Sequence, residues 1–385
     1  MSPQHRILHV SVVHGRDDPR IFERECRTLA AHGYAVGYLC PGTMLGKQEG
    51  VELLPLPVRS RRGRMRAAPE ILGAVRRWNA EVVHLHDPEL LTLAPILKAM
   101  GLRVVYDMHE YLARAVSTKH YIPRYLRPGT SALAGLAERS LAACTDGVVA
   151  VTEEQLAGWA DRPAARVLLP NYPRISRFAA PRPVPGLAAD ERLKLIHVGT
   201  LSRARGVPTM LEAMRIAGDG AVLYLGGVFH DQALKAEVEG LLSHDPLLRG
   251  RVRLLGRIAP AHLPDYLAAA EAVWIAEQAT GQYAMLAHST KLYEGLAVGL
   301  AALTSDLPGR GDLVRAARCG LAVPPTVEGH AAGLLESLAQ RDRLPAWGER
   351  GRALVRERCS WEAIEADLLT FYERIVSTAP DRCPA

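Results

Sequence analysis

Short apolar runs recur along the chain, and each is followed by a stretch whose apolar positions have helical spacing. In the first half the runs fall at 6–13, 35–40, 51–56, 82–86, 102–107, 147–152 and 166–169. In the second half they fall at 193–198, 221–225, 252–255, 272–276, 301–304 and 321–323. Continuous apolar strands alternating with helices predict parallel sheets covered on both faces. Between the halves, FAAPRPVPGLAADE at 178–191 has no periodicity and is rich in Pro and Ala, which predicts an interdomain linker. The expected organisation is a domain over 1–178, a linker over 179–192, a second domain over 193–360 and an amphipathic helix over 361–378. Two doubly wound α/β domains of this kind are expected to face a cleft at the carboxyl ends of their strands.

Functional residues should therefore sit just after strands. HVGTLSRARG places Gly199 at a strand end, then Arg203 and Arg205, then Gly206 opening a helix. Glycine lets a ligand approach the backbone, and the arginines can neutralise a diphosphate beside a helix N-terminus. STKLYEGLAVGLAALTSD carries Lys291 and Glu294 on a short helix. A lysine in the first turn opposes the helix dipole, which argues that it is there for an anion, and the carboxylate can accept two hydrogen bonds from a ribose diol. A solvated helix with an i, i+3 ion pair is the plainer alternative. In the first half, His14, Gly15, Arg16 and Asp18 follow the first strand, and His84, His86 and Asp87 the strand at 82–86. Histidine can orient hydroxyls or move protons near neutrality, although His84, inside its strand, reads as structural. Asp18 before Pro19 is a good helix start, and Asn171 is expected to hold a turn.

The 385 residues are 48% hydrophobic and 23% charged, enough apolar material for two or three cores. No apolar run approaches the roughly 20 residues needed to span a bilayer, and the N-terminus lacks the run and cleavage site of a signal peptide. A soluble cytoplasmic protein is expected. The net charge of +6 rests mainly on arginine, which suits phosphate-bearing ligands. RSRRGRMR at 59–66 could touch an anionic membrane, but a solvated helix start is the simpler reading. The six cysteines are scattered, with no Cys-x-x-Cys and no histidines at metal-ligand spacing in sequence, so idle thiols and no metal site are expected. Neither first βα turn carries G-x-G-x-x-G, which argues against a nicotinamide dehydrogenase. Nothing beyond charge favours nucleic acid.

Taken in order, the basic loop 199–206, Leu-Gly-Arg at 255–257, Lys-x-x-Glu at 291–294 and Gly-x-Ala at 299–301 resemble the C-terminal domain of family 4 glycosyltransferases, which have the two-domain GT-B fold. SVVHGRDDPRIFERECRTLAAHGYAV, VVHLHDPELL, VVYDMHE, GVVAVTEE and VLLPNYP resemble that family's N-terminal strand exits in order, so the likeness covers nearly the whole chain. It implies a retaining, metal-independent transfer from a nucleotide diphosphate sugar, UDP favoured over GDP, to a polysaccharide-lipid or small-molecule acceptor. No cofactor is implied beyond that co-substrate. Arg205, with Arg203 beside it, should contact the diphosphate, together with Gly199, Thr200, Lys291 and Leu292. Glu294 should bind the ribose, Arg257 and Ile258 border the base, and His109 lie near the transferred sugar. His14, Gly15, Arg16, His86 and Asp87 would hold the acceptor, and the last helix would cross back to the first domain. The sequence departs from the family at Leu286, where a glutamate that contacts donor sugar hydroxyls is usual, and at Thr200, where arginine is usual. Those departures leave donor choice open, and keep a nucleotide-sugar epimerase and a catalytically silent binding subunit as rivals.

Overall fold

The computed structural model describes residues 5–108, 112, 116, 123–159, 165–280 and 289–378. The chain divides into two units, Met1–Asn171 with Ile364–Ala385, and Tyr172–Ala363.

The first unit is built on eight strands: β1 (Arg6–Val10), β2 (Ala35–Pro41), β3 (Gly46–Gln48), β4 (Val51–Leu56), β5 (Val82–Leu85), β6 (Arg103–Met108), β7 (Gly147–Ala150) and β8 (Ala165–Leu168). Their order is β3-β4-β2-β1-β5-β6-β7-β8, and all pairs are parallel except β3 with β4. The central strands are buried throughout, as their unbroken apolar runs require. The antiparallel β3 was not expected: GKQ is short, polar and wholly exposed, with no apolar pattern to reveal it.

The second unit has six parallel strands: β9 (Leu193–Val198), β10 (Ala221–Gly226), β11 (Val252–Gly256), β12 (Ala272–Ile275), β13 (Ala301–Ser305) and β14 (Gly320–Val323). Their order is β11-β10-β9-β12-β13-β14. Helices cover both faces. One core gathers Met210, Met214, Trp274 and Leu334, the other Ile196, Tyr293, Leu296 and Val355.

In each sheet the first strand lies between two later strands, and the strand order reverses there. Connections leave β1 toward β2 on one side and β5 on the other, and β9 toward β10 and β12. Such switch points open a crevice beyond the strand ends, where ligands of doubly wound folds bind.

Two expectations need correction. The stretch 179–192 packs into the second unit: Arg182 N donates to Asp265 Oδ1 at 2.7 Å, Val184 N to Asp265 O at 3.3 Å, and the adjoining Phe178 lies in that unit's core. Cys26, Cys40, Cys319 and Cys359 are buried free thiols, but Cys144 is disulfide-bonded and not idle.

Candidate active site

At the switch point of the second unit, β9 ends and Gly199 follows with φ +135°. A Cβ there would lie 2.6 Å from Lys291 Cε and 3.2 Å from Arg205 Nη1. Glycine thus both adopts this backbone and lets two cationic side chains close over the strand end. Arg205 Nη1 donates to Thr200 O at 3.3 Å. Gly206, with φ +76°, begins the helix Val207–Ala217 so close to the neighbouring chain that a Cβ would meet Ala276 O at 1.8 Å.

The loop uses its own amides. Arg205 N donates to Ser202 Oγ at 3.2 Å, Gly206 N to Arg203 O at 2.9 Å and Val207 N to Ser202 O at 3.3 Å, while Pro208 has no N–H. The amides of residues 205–207 are therefore engaged within the loop, and the positive charge beside Gly199 is that of the Arg205 and Lys291 side chains.

Lys291 lies in the first turn of the helix Thr290–Val298. Its Nζ is 3.3 Å from Glu277 Oε1, and Arg310 Nη1 donates to Glu277 Oε2 at 2.6 Å. Glu277 and Arg310 are 2% and 1% exposed. Burial alone would raise the Glu277 carboxyl, but Lys291 and Arg310 outweigh it and hold the group below its ordinary range. The carboxylate is thus locked from behind by Arg310 and fixes Lys291 at the front. His197 lies buried on β9, its Nδ1 donating to Trp274 O at 2.8 Å while Nε2 has no hydrogen-bond partner. Burial first, then the nearby charge of Lys291, pushes this imidazole down to about 4. Glu277, Arg310 and His197 escaped the sequence reading. Only a polar residue at an apolar strand end, as in WIAEQ, hints at Glu277.

Glu294 is half-buried on the same helix as Lys291. Leu292 is not a ligand contact through its side chain, because the helical period turns it into the core with Tyr293 and Leu296. Arg257 is exposed beyond β11. Ile258 packs over Gly226, where a Cβ would meet Ile258 Cδ1 at 2.5 Å. Arg203 does not join Arg205, since it forms an exposed ion pair with Glu237 of the helix Gln232–His244. His109 and Leu286 lie outside the described residues.

At the switch point of the first unit, Asp87 is 2% exposed and clamps the loop after β1. Its Oδ2 accepts from Ser11 Oγ at 2.8 Å and Val12 N at 2.7 Å, so one of its oxygens is committed to structure. His14, about one-third exposed, has Nδ1 2.8 Å from Asp18 Oδ2. Burial would raise the Asp18 carboxyl, but the His14 bond and the amides of Ile21 and Arg20 hold it far below the usual range. That bond in turn raises the His14 imidazole. Through those amides, at 2.9 and 2.8 Å, Asp18 starts the helix after Pro19 as expected. Gly15 and Arg16 are exposed beside His14. His86 is corrected: it is 1% exposed, with Nε2 2.9 Å from His9 Nδ1 and Nδ1 3.2 Å from Asp107 Oδ2, facing inward and away from any acceptor. Asn171 Oδ1 accepts from Arg20 and Arg24 at 3.0 and 3.3 Å and ties down the helix start. In the basic stretch, Arg59 pairs with Glu70 and Arg64 with Glu89. No helix among the described residues is long and apolar enough to cross a membrane.

Residues 20–171 match the glycosyl transferase 4-like domain, and residues 183–354 match glycosyl transferases group 1. No curated protein sequence gives a significant match. The fold is similar to that of sucrose-phosphate synthase from Thermosynechococcus elongatus, with a TM-score of 0.76 and 19% identity over 97% of this chain and 100% of that one. It is similar to Anabaena Alr3699/HepE, with a TM-score of 0.71 and 14% identity over 97% and 100% of the two chains. It is also similar to WaaG, a glycosyltransferase involved in lipopolysaccharide biosynthesis, with a TM-score of 0.69 and 19% identity over 95% and 99%. Both halves of the chain, each a Rossmann-like parallel sheet with its polar residues at the switch point, thus lead to one assignment: the protein belongs to the family 4-type glycosyltransferases of the GT-B fold.

Proposed function

We propose that the enzyme transfers a sugar from a nucleotide diphosphate sugar to a hydroxylated acceptor with retention at the anomeric carbon. The observation that carries this reading is the convergence of Lys291 and Arg205 over Gly199. In the transfer, the bond between the anomeric carbon and the diphosphate oxygen breaks and its electron pair leaves with the diphosphate. The acceptor oxygen bonds to the same face of that carbon, and its proton passes to the departing oxygen. Negative charge on the leaving group grows along this path, so fixed cations beside it lower the barrier more than they tighten substrate binding. Lys291, held by Glu277, and Arg205 take the part that a divalent ion plays elsewhere.

In this reading Glu294 accepts the ribose hydroxyls, Arg257 and Ile258 border the base, and His109 keeps the role near the transferred sugar that the family resemblance implies. His14, Gly15 and Arg16 hold the acceptor. The Anabaena relative has been crystallised in complex with UDP and with UDP-glucose, which favours a UDP-sugar donor here. The relative involved in lipopolysaccharide biosynthesis favours a polysaccharide-lipid acceptor.

Melting the protein with UDP-, GDP- and dTDP-sugars tests the donor, because a bound donor stabilises by RT ln(1+[L]/Kd). The expected result is a rise in Tm with UDP-sugars, with release of UDP on incubation. Epimerised donor and no released UDP would point to an isomerase. No rise in Tm with any donor would overturn the proposal.

A further inference from the structure

Inside the first unit, three imidazoles and a carboxylate that lie far apart in sequence come together. His9 on β1 and His84 on β5 are register partners. His86, two residues further on, points to the same face, because strand side chains alternate. The ring centroids lie 4.4 to 5.1 Å apart. Above them runs a helix that opens with a widened π turn, Ile21–Cys26, and its Glu25 reaches into the group. Glu25 Oε2 is 3.9 Å from His9 Nδ1, 3.7 Å from His84 Nδ1 and 4.0 Å from His86 Nε2, and all four side chains are 0% exposed.

Nitrogen and oxygen ligand atoms of the four residues lie within 4.8 Å of one another. Four ligands at about 2.1 Å around a tetrahedral ion are separated by about 3.4 Å; Glu25 Oε2, at 3.7 to 4.0 Å from the three nitrogens, is close to that spacing, and a bound ion would replace the 2.9 Å contact between His9 Nδ1 and His86 Nε2. Neither Glu25 oxygen closes a hydrogen bond. Buried polar atoms of this kind are costly when left unpaired. A partner of His86 already stands on the outer side, Asp107 Oδ2 at 3.2 Å from Nδ1, while Tyr372 OH, 2.7 Å from His84 Nδ1, holds the nitrogen that faces Glu25 and would give it up to a metal. Such outer partners orient metal-bound histidines. Arg20 donates to both Asp107 oxygens, at 2.8 and 2.9 Å, and its Nε is also 3.2 Å from Glu25 Oε1. One guanidinium against two carboxylates leaves a negative charge to be met by a cation or a proton.

We propose that His9, Glu25, His84 and His86 bind one divalent transition-metal ion, and that the donor set of three imidazoles and one carboxylate selects zinc. Four protein ligands leave no open position for substrate, so the ion is structural. With every ligand buried, it enters as the chain folds.

The test starts from full-length protein made in zinc-supplemented medium and passed over a chelating resin, with metal per chain read by mass spectrometry. Wild type is expected to hold about one zinc per chain. Glu25→Gln and His84→Asn should each hold well under half of that, while Glu294→Ala keeps the full amount. Wild type unfolded and refolded with zinc should melt higher than the same protein refolded with chelator. Refolding with Co²⁺ should give the visible spectrum of a tetrahedral cobalt site. If the two variants fail to fold, the cobalt spectrum of wild type decides. Metal-free wild type with no zinc-dependent gain in Tm, no tetrahedral cobalt spectrum, or unchanged metal content in both variants would each overturn the proposal. In that event a proton meets the Glu25 charge.

Discussion

The two units gather similar kinds of charged and polar side chains around their central strands, but solvent reaches them differently. In the second unit Lys291 and Arg205 lie partly exposed over Gly199, while their support, Glu277 and Arg310, is sealed beneath them. In the first unit His9, Glu25, His84 and His86 are all sealed, while His14, Gly15 and Arg16 reach the surface at the strand end. Residue type therefore does not separate a ligand-facing group from an internal one. His14 and His86 both leave a strand of the same sheet, yet one meets solvent and the other meets Asp107. What separates them is whether a helix lies across the strand end, as Ile21–Cys26 lies across the histidines.

The comparison breaks most visibly at the sealed supports. Glu277→Ala leaves Lys291 and Arg310 without their counter-charge and is expected to cost about 3–5 kcal/mol of stability, read by denaturant melts. A loss within 1 kcal/mol would mean that water reaches this group after all. Lys291→Ala should act on chemistry instead. Arg310 keeps Glu277 paired, so Tm falls less than in Glu277→Ala, while turnover drops about 10²–10³-fold, as for removal of one preorganised charge-stabilising donor. Initial rates of nucleotide diphosphate release check this.

An effect of comparable size concerns pH. His197 and His330 are both held down to about 4, chiefly by burial, from an ordinary value of 6.5. His330 Nδ1 accepts from Trp274 Nε1 at 3.0 Å, so its Nε2 carries the proton and donates to Ser305 Oγ at 3.0 Å. Below pH 6.5 the unfolded chain takes up protons that these folded imidazoles refuse. Stability should thus fall as pH is lowered from 6.5 toward 4 and level off beneath, by about 1.4 kcal/mol per pH unit for each histidine. Melts of wild type and His330→Gln test it, the variant being expected to show the shallower decline. The smallest effect belongs to Arg203→Ala, which removes an exposed pair with Glu237 and should leave both Tm and donor affinity unchanged. A clear loss of donor affinity would return Arg203 to the diphosphate site.

Most of the fold was legible in the chain because parallel strands buried on both faces must be apolar without interruption, as VVHL and AVWI are. The strand Gly46–Gln48 escaped because an exposed edge needs no such pattern. The basic loop after β9 was legible as a structural unit because Gly199, Arg205 and Gly206 are neighbours in sequence and each does a local job. The partnership of Glu277 with Arg310, 33 residues apart, was not, and neither was that of His9 with His86, 77 residues apart. Both depend on strand register and on which helix covers which strand end, and no local spacing encodes either. Leu292 and Arg203 misled for the opposite reason. They sit near Lys291 and Arg205 in sequence, but the helical period and an ion pair turn their side chains elsewhere.

The central claim is that the Arg205 and Lys291 side chains form the diphosphate site, and calorimetric titration of UDP into wild type and Arg205→Ala tests it most directly. The account predicts that the variant binds about tenfold or more weakly, corresponding to the loss of one charge-assisted hydrogen bond of about 1.5–3 kcal/mol, with its Tm preserved. Equal UDP affinity in the two folded proteins would contradict it.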